Sequence, residues 1–245
     1  MTNIDTPLTR SGNPFLAFFL IALWFAVLAL FASYAHWDLA ISSWFFEDDL
    51  CAQTANDRGF CHGFTAATDP VLRTIREILQ ALPPWTGVGL LFWAIADWRT
   101  GLRWQNAGFR LKTAIVATLV IWPLLIVNGI LKTFWGRPRP WQSEPFGGQA
   151  PFIEAGKISD YCAFNCSFVS GEAASAGWLA LLVLLFPPAH RRLAAFIMIP
   201  ISLFMAGLRV AFGAHYASDI ILGYIGAIAV FALIMALLTR FAAKA

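Results

Sequence analysis

Charged residues are scarce in this sequence of 245 residues, and their scarcity excludes several classes of protein. Only 13% of the residues are Asp, Glu, Lys or Arg, against about 25% in soluble globular proteins. So few charges cannot coat a water-facing surface, keep a chain disordered or neutralise a nucleic acid. Repeats and low-complexity stretches are also missing, which excludes a fibrous protein. The chain is instead 59% hydrophobic and 15% aromatic, as is typical of a protein embedded in a lipid bilayer.

Six windows without charge indicate helices that cross the membrane. The hydrocarbon core is about 30 Å thick, and about 20 helical residues span it. The first window, between Arg10 and Asp38, holds 27 uncharged residues and is too long for a cleaved signal peptide. The others are 78–96, 113–131, 173–190, 193–208 and 220–239. The sequence therefore predicts an all-α, polytopic membrane protein with six transmembrane helices, forming a single membrane-embedded domain over residues 1–245.

The distribution of charge predicts the orientation of these spans. Six spans place both termini on one side. If that side is the cytoplasm, its segments carry nine basic and two acidic residues, and the opposite side carries eight basic and twelve acidic residues. This asymmetry agrees with the positive-inside rule, so we expect cytoplasmic N- and C-termini. The segments outside are then about 37–80 and 132–170.

The first outside segment contains the pattern of an amphipathic helix. Asp69 is a suitable N-cap and Pro70 a suitable first helical residue. Apolar residues then recur at helical spacing over 71–82, with charged and amide residues opposite. This helix would lead into the second span, either lying in the membrane interface or packing against the other spans.

All four cysteines also lie in the outside segments. An oxidising compartment would permit disulfides, and the simplest pairing joins Cys51 to Cys61 and Cys162 to Cys166. Sequence alone allows three pairings. The alternative is metal binding, which we discount because no His or acidic cluster stands at a ligand-like spacing beside either pair.

Three polar clusters fall on the predicted outer side, over residues 132–140, 167–172 and 209–219. They supply Lys and Arg, a Ser-Gly turn at a helix start, and a His followed four residues later by Asp. Cations and helix-start N–H groups bind tetrahedral oxyanions. A neutral His can act as a nucleophile, and a carboxylate on its other nitrogen fixes its tautomer. Together these residues indicate phosphoryl transfer through a phosphohistidine.

Each of these residues alone has a more ordinary explanation. An interfacial lysine such as Lys132 often only extends its ammonium to lipid headgroups. His215 alone would more often be a hydrogen-bonded histidine at a helix end, and Gly171 alone carries no information. The joint spacing of the clusters supports a phosphate site.

The clusters resemble the motifs of the type 2 phosphatidic acid phosphatases, a superfamily that includes the vanadium haloperoxidases. Its motifs are K-x6-R-P, P-S-G-H and S-R-x5-H-x3-D. The resemblance covers roughly residues 110–235. Because Arg137 is out of register, the phosphate role in the first motif falls on Arg139. The matching residues are Lys132, Arg139 and Pro140 for the first motif, Ser170 and Gly171 for the second, and Arg209, His215 and Asp219 for the third.

Three positions depart from these motifs. Val169 replaces Pro and Leu208 replaces Ser, which should matter little. Glu172 replaces the His that is thought to protonate the leaving oxygen in the family. A carboxylic acid could do the same only if burial raised its pKa, whereas neighbouring cations would keep it ionised. One explanation is that the substrate is an anomeric lipid phosphate or a lipid diphosphate, whose leaving group depends less on protonation by a general acid. The alternative is that Glu172 binds a sugar hydroxyl or pairs with Lys132, and another group supplies the proton.

The resemblance implies a mechanism and a role for each residue. His215 would attack phosphorus, Asp219 would orient and stabilise the imidazolium, and Glu172 is the remaining catalytic candidate. Water would then hydrolyse the phosphohistidine. We expect no metal and no other cofactor, because fixed cations supply the electrostatic stabilisation. The residues expected to hold the phosphate are Lys132, Arg139, Ser170, Gly171 and Arg209.

A site at the outer membrane surface predicts an amphiphilic substrate. We expect a membrane lipid phosphate and the bilayer itself as partners, with neither nucleic acid nor an obligate protein partner. The candidates are lipid A, undecaprenyl diphosphate, phosphatidylglycerophosphate and phosphatidate. The roomy aromatic loop 132–168 and the similarity to lipid A phosphatases of the superfamily favour lipid A. The expected location is the inner membrane, with the active site facing the periplasm.

Other classes of protein remain as alternatives, among which a lipid phosphotransferase stays open. A phosphotransferase would use the same histidine, and a catalytically silent lipid-binding protein would explain Glu172 but not an intact His215 and Asp219. A transporter would place charges at mid-membrane depth, whereas here they collect on one face. A vanadate-dependent peroxidase would share the anion pocket, but the known ones are soluble, whereas this sequence predicts a membrane protein, so we set that class aside.

Overall fold

The computed structural model describes residues 12–50 and 63–244, and this part of the chain is all-α. The predicted Cys51–Cys61 pair therefore lies outside the described residues. The helices that build the fold are α1 (Pro14–Ser33), α2 (His36–Ser43), α3 (Pro70–Arg99), α4 (Ala107–Phe134), α5 (Gly171–Leu185), α6 (Pro188–Ala211) and α7 (Ala217–Ala242).

Five of these helices are long and apolar enough to cross a membrane. They are α1, α3, α4, α6 and α7, with 20 to 30 residues each, which confirms an all-α protein with several apolar helices. The fourth predicted window forms the shorter helix α5, with 11 α-helical residues and a final 3-10 turn of 4 residues. At 1.5 Å per residue it extends about 22 Å, less than the hydrocarbon thickness. The six-span topology and its orientation stay predictions.

Helix α3 joins the predicted amphipathic helix and the second span into one element. The Asp69 carboxylate accepts a hydrogen bond from the Leu72 amide at 2.9 Å, and Pro70 is the first residue. The apolar face of its first turns packs against the end of α6 and the turn that follows. This is the second of the two predicted alternatives, a helix packed against other spans. The residues in this contact are Leu72, Ile75 and Leu79 on α3 with Leu208, Phe212 and Ala214.

The core of the bundle surrounds α5, which packs against α4, α6 and α7. Trp178 is fully buried and donates to the Ile115 carbonyl of α4 at 2.7 Å. Close contact with α7 requires glycine, because a Cβ on Gly177 would lie 2.5 Å from the Tyr224 carbonyl oxygen and one on Gly223 would lie 2.7 Å from the Ser170 carbonyl oxygen. This packing fixes the first residues of α5 relative to α7.

The connection between α4 and α5 is an irregular segment with short 3-10 turns at Pro140–Gln142 and Glu144–Phe146. A disulfide joins Cys162 to Cys166, the pairing that the short spacing favoured. The segment runs across the end of the bundle where α4 and α6 finish and α5 and α7 begin. All three polar clusters of the sequence therefore meet at that end.

Candidate active site

A cavity of about 370 Å³ lies at this end of the bundle. Part of its wall is cationic and polar, and part is apolar, so it suits a phosphate attached to an apolar group. The polar lining includes Arg76, Asn128, Lys132, Arg139, Asn165, Glu172 and Arg209, and the apolar lining includes Pro83, Leu119, Leu124 and Met205. Of the predicted site residues, Gly171 also lines the cavity, whereas Ser170, His215 and Asp219 are buried beside it.

The ring of His215 is held in one tautomer. Its Nδ1 lies 2.8 Å from the Ser167 carbonyl oxygen. Since a carbonyl oxygen can only accept a hydrogen bond, Nδ1 carries the ring proton. Nε2 then keeps its lone pair, which is the form that a nucleophilic histidine needs.

Asp219 contacts the histidine less directly than expected. Its Oδ2 lies 3.9 Å from His215 Nδ1, too far for a hydrogen bond. Oδ2 instead accepts from the Ser167 hydroxyl at 2.5 Å and from the Tyr216 amide at 3.1 Å. The Ser167 carbonyl therefore fixes the tautomer, and the Asp219 carboxylate supplies a nearby negative charge.

A fully buried arginine holds Asp219 in place. Arg137 donates to Asp219 Oδ1 at 2.7 Å, to Asp38 Oδ2 at 2.8 Å and to the Ser218 hydroxyl at 2.9 Å. Asp38, on α2, also accepts from the Ser218 amide at 2.8 Å. Arg137 is therefore occupied inside the protein, while Arg139 lines the cavity. This placement favours Arg139 for phosphate binding, as the motif register does.

One residue of the connecting segment contacts two of the cations. Asn165 accepts from Arg139 Nε and Nη2 through its backbone carbonyl, at 3.1 and 2.8 Å. Its side-chain Oδ1 accepts from Arg139 Nη2 at 2.9 Å and from Lys132 Nζ at 3.4 Å. Asn165 has φ 51°, in the left-handed region that Asn tolerates better than most residues, and it lies inside the loop closed by the Cys162–Cys166 disulfide.

Glu172 forms ion pairs with two arginines. Arg76 donates from Nη2 to Oε1 at 2.5 Å and from Nε to Oε2 at 3.1 Å. Arg209 Nε lies 3.2 Å from Oε1. The alternative pairing with Lys132 is not the one formed, since Lys132 contacts Asn165. In these contacts Glu172 serves as the partner of arginine cations, and neither of its oxygens donates a hydrogen bond.

Ser170 and Gly171 differ in their access to the cavity. Ser170 is buried and caps α5, its hydroxyl oxygen accepting from the Ala173 amide at 3.2 Å, while its own amide donates to the Asp219 carbonyl at 3.1 Å. Gly171 lines the cavity, and a Cβ there would lie 2.5 Å from Asn128 Oδ1. The start of α5 thus brings its backbone close to the space where a phosphate would bind.

Burial and positive charge keep His215 neutral. Burial lowers the pKa of His215 well below its usual value of 6.5, and the charges of Lys132, Arg139 and Arg209 lower it further. Burial also lowers the pKa of Arg139, where Glu172 acts in the opposite direction. The three cations that lower this pKa are those predicted to bind phosphate.

Besides Arg137, which the motif register sets aside, four further residues of the site are not assigned by the sequence. Arg76 and Asp38 come from α3 and α2, far from the motifs, and Ser167 and Asn165 come from the connecting segment. Arg76 was visible only as one residue of the polar face of an amphipathic helix, and Asp38 only as the charge that ends the first window. Neither signal indicates a role in a site.

Comparisons with known proteins identify the family. The model of the PAP2 superfamily matches residues 110–242. A lipid A 4'-phosphatase of Rhizobium leguminosarum is 39% identical over 88% of this chain and 93% of that protein. One of Rhizobium etli is 38% identical over 96% of this chain and 90% of that protein. One of Francisella tularensis subsp. novicida is 39% identical over 44% of this chain and 49% of that protein. No solved structure gives a significant match.

Proposed function

The chain belongs to the PAP2 superfamily, and from that premise we propose that it removes a phosphate from lipid A at the cavity beside His215. Its similarity to lipid A 4'-phosphatases over most of the chain supports a PAP2-type lipid phosphatase and favours the 4'-phosphate as the group removed. The observation that carries the proposal is the His215 ring, whose Nδ1 is bound to the Ser167 carbonyl so that Nε2 is free, next to a partly apolar cavity lined by Lys132, Arg139 and Arg209.

In the first step, His215 Nε2 attacks phosphorus. The Nε2–P bond forms as the P–O ester bond breaks, and the ester oxygen leaves with the bonding electrons. The phosphorylated ring keeps its Nδ1 proton, donated to the Ser167 carbonyl, and becomes positive. The buried carboxylate of Asp219, 3.9 Å away, stabilises that charge. Lys132, Arg139 and Arg209 stabilise the negative oxygens on phosphorus, with no metal ion required.

The leaving oxygen takes its proton from a water molecule, which becomes hydroxide, because both carboxylate oxygens of Glu172 are engaged by arginines. In the second step another water molecule attacks phosphorus and the Nε2–P bond breaks, its electrons returning to Nε2. Neutral His215 is restored, phosphate is released, and the surplus proton of the attacking water neutralises the hydroxide. A 4'-phosphate is an ordinary alkyl ester, so this proposal departs from the expectation that Glu172 marks an anomeric phosphate or a diphosphate. Glu172→His tests the point, since it should raise activity on simple alkyl phosphates if Glu172 limits protonation.

The proposed location is the inner membrane with the site on the periplasmic face. The charge asymmetry of the loops supports it, because the end that carries the cavity is the side with the excess of acidic residues. Labelling of a single introduced cysteine near Lys157, in intact and in permeabilised cells, measures this orientation. Labelling only after the inner membrane is permeabilised would contradict it.

The first experiment is phosphate release by the purified protein in detergent, with and without a chelator. The substrates are lipid A, undecaprenyl diphosphate, phosphatidylglycerophosphate and phosphatidate, and mass spectrometry locates the phosphate lost from lipid A. We expect release from the 4' position that persists with the chelator and is abolished in His215→Ala. His190→Ala, an exposed histidine, is the matched control. Release that survives in His215→Ala would contradict the mechanism, and transfer of the phosphate to another lipid would show a transferase.

A further inference from the structure

Arg76 lines the cavity, although it lies outside residues 110–242, the region that matches the family model. It lies on α3, and its partner Glu172 is 96 residues later in the chain. The two side chains are 27% and 14% exposed, so the pair lies at the cavity and is partly removed from water. Arg76 donates hydrogen bonds to both carboxylate oxygens, whereas Arg209 Nε forms an ion pair with Oε1 but no hydrogen bond.

The charges around the cavity explain why such a pair is needed. Lys132, Arg139 and Arg209 are the cations that face the phosphate site. Glu172 places a negative charge 3.2 Å from Arg209 Nε, where it competes with a phosphate for that guanidinium. Arg76 adds a positive charge that offsets Glu172, so the site keeps the net charge of its three cations.

We propose that Arg76 is a positioning residue that holds Glu172 and thereby leaves Arg209 available to bind the phosphate. Arg209 Nε lies 3.2 Å from Glu172 Oε1 without forming a hydrogen bond to protein, and within the described part of the chain the two terminal nitrogens of Arg209 form none either. The guanidinium of Arg209 is therefore open to the ligand as long as Glu172 stays bound to Arg76. Without Arg76, we expect the carboxylate to turn to Arg209 and occupy its guanidinium, since a charge largely removed from water is destabilised when its partner is lost.

Orthophosphate binding to the full-length protein in detergent, measured by calorimetry, tests this role. We expect Arg76→Gln to weaken binding about tenfold, which corresponds to the loss of one charge at close range. Glu172→Gln should bind as well as the native protein or better. The double variant Arg76→Gln/Glu172→Gln should recover to within about threefold, because it removes the competing charge together with its counter-charge. Arg73→Gln, an exposed arginine three residues earlier on α3, should change nothing.

Two results would overturn the proposal. One is native-like phosphate affinity in Arg76→Gln, and the other is a double variant that binds as weakly as Arg76→Gln alone. Thermal unfolding of each variant separates these effects from a loss of fold. If the Arg76–Glu172 pair were merely structural, its loss would lower the midpoint of thermal unfolding without producing this pattern of phosphate affinities. The KM for the lipid substrate should follow the same order, with kcat less affected.

The inference rests on the proposed phosphatase function but can fail separately from it. If the variants show the expected pattern of orthophosphate affinity but the protein releases no phosphate from lipids, the proposed function is wrong and the role of Arg76 stands. If the protein releases lipid phosphate in a way that depends on His215 but Arg76→Gln binds orthophosphate normally, the function stands and the role of Arg76 is wrong.

Discussion

The two sides of the candidate site are built differently. On the nucleophile side, Asp38, Arg137 and Asp219 are fully buried, His215 is 1% exposed, and hydrogen bonds to protein hold each of them. On the phosphate side the cations line an open cavity and share partners such as Asn165 and Glu172. The nucleophile is therefore oriented before the substrate arrives. The cations can exchange their protein partners for phosphate oxygens.

The largest effect should come from breaking the nucleophile side at Asp38. Asp38→Asn removes the charge that pairs with the buried Arg137 and should cost about 3–5 kcal/mol of stability, the range for breaking a buried ion pair. A denaturation series in mixed micelles measures the free energy of unfolding. Asp160→Asn, on an exposed side chain, is the control. Equal stability of the two variants would contradict a structural role for the Asp38–Arg137 pair.

On the phosphate side, the effect of removing a partner should be smaller and should appear in KM. Asn165→Gly keeps the left-handed backbone and the carbonyl that binds Arg139, but it removes the Oδ1 contacts with Lys132 and Arg139. We expect KM to rise about fivefold with little change in kcat, equivalent to about 1 kcal/mol for exposed hydrogen bonds. Asn165→Ala should be worse, because Ala adds strain at φ 51°. A kcat that falls while KM stays constant would place Asn165 with the nucleophile instead.

The smallest effect concerns the charge of His215 rather than its removal. Because burial and the nearby cations lower the pKa of His215, its ring should stay neutral at pH 6, where an ordinary histidine is mostly protonated. Ring nitrogen chemical shifts, assigned by comparison with His215→Ala, measure this directly. Below about pH 6.5 the unfolded chain gains a proton that the folded one lacks, so stability should fall with acid. A ring that is already protonated at pH 6.5 would contradict this environment.

The motif side of the candidate site is the part that sequence patterns can predict, because its residues stand at fixed spacings near helix ends. The structure brings Lys132, Arg139, Arg209, His215 and Asp219 to one end of the bundle, and their roles stay predictions. The apolar windows located each long helix. The fourth window is harder to interpret, since an absence of charge does not reveal that a new helix begins at Pro187 and Pro188. Helix α5 ends at Leu185 in consequence and is shorter than the window of 173–190.

The residues that sequence analysis missed act through contacts distant along the chain. Asp38 reaches Arg137 across 99 residues, and Arg76 reaches Glu172 across 96. No local spacing encodes such a pair, because the contact exists only after α2 and α3 have packed on the rest of the bundle. The sequence shows that Glu172 replaces His, but it does not show that the carboxylate pairs with Arg76 of another helix.

The link between Asp38, Arg137 and Asp219 also bears on how the site comes together as the chain folds. Arg137 lies 99 residues after Asp38 and 82 residues before Asp219. Burying an arginine that lacks one of its carboxylate partners costs several kcal/mol, so the three groups should become buried together rather than one after another. We therefore expect the histidine to be oriented only once α2, the connecting segment and α7 have all packed.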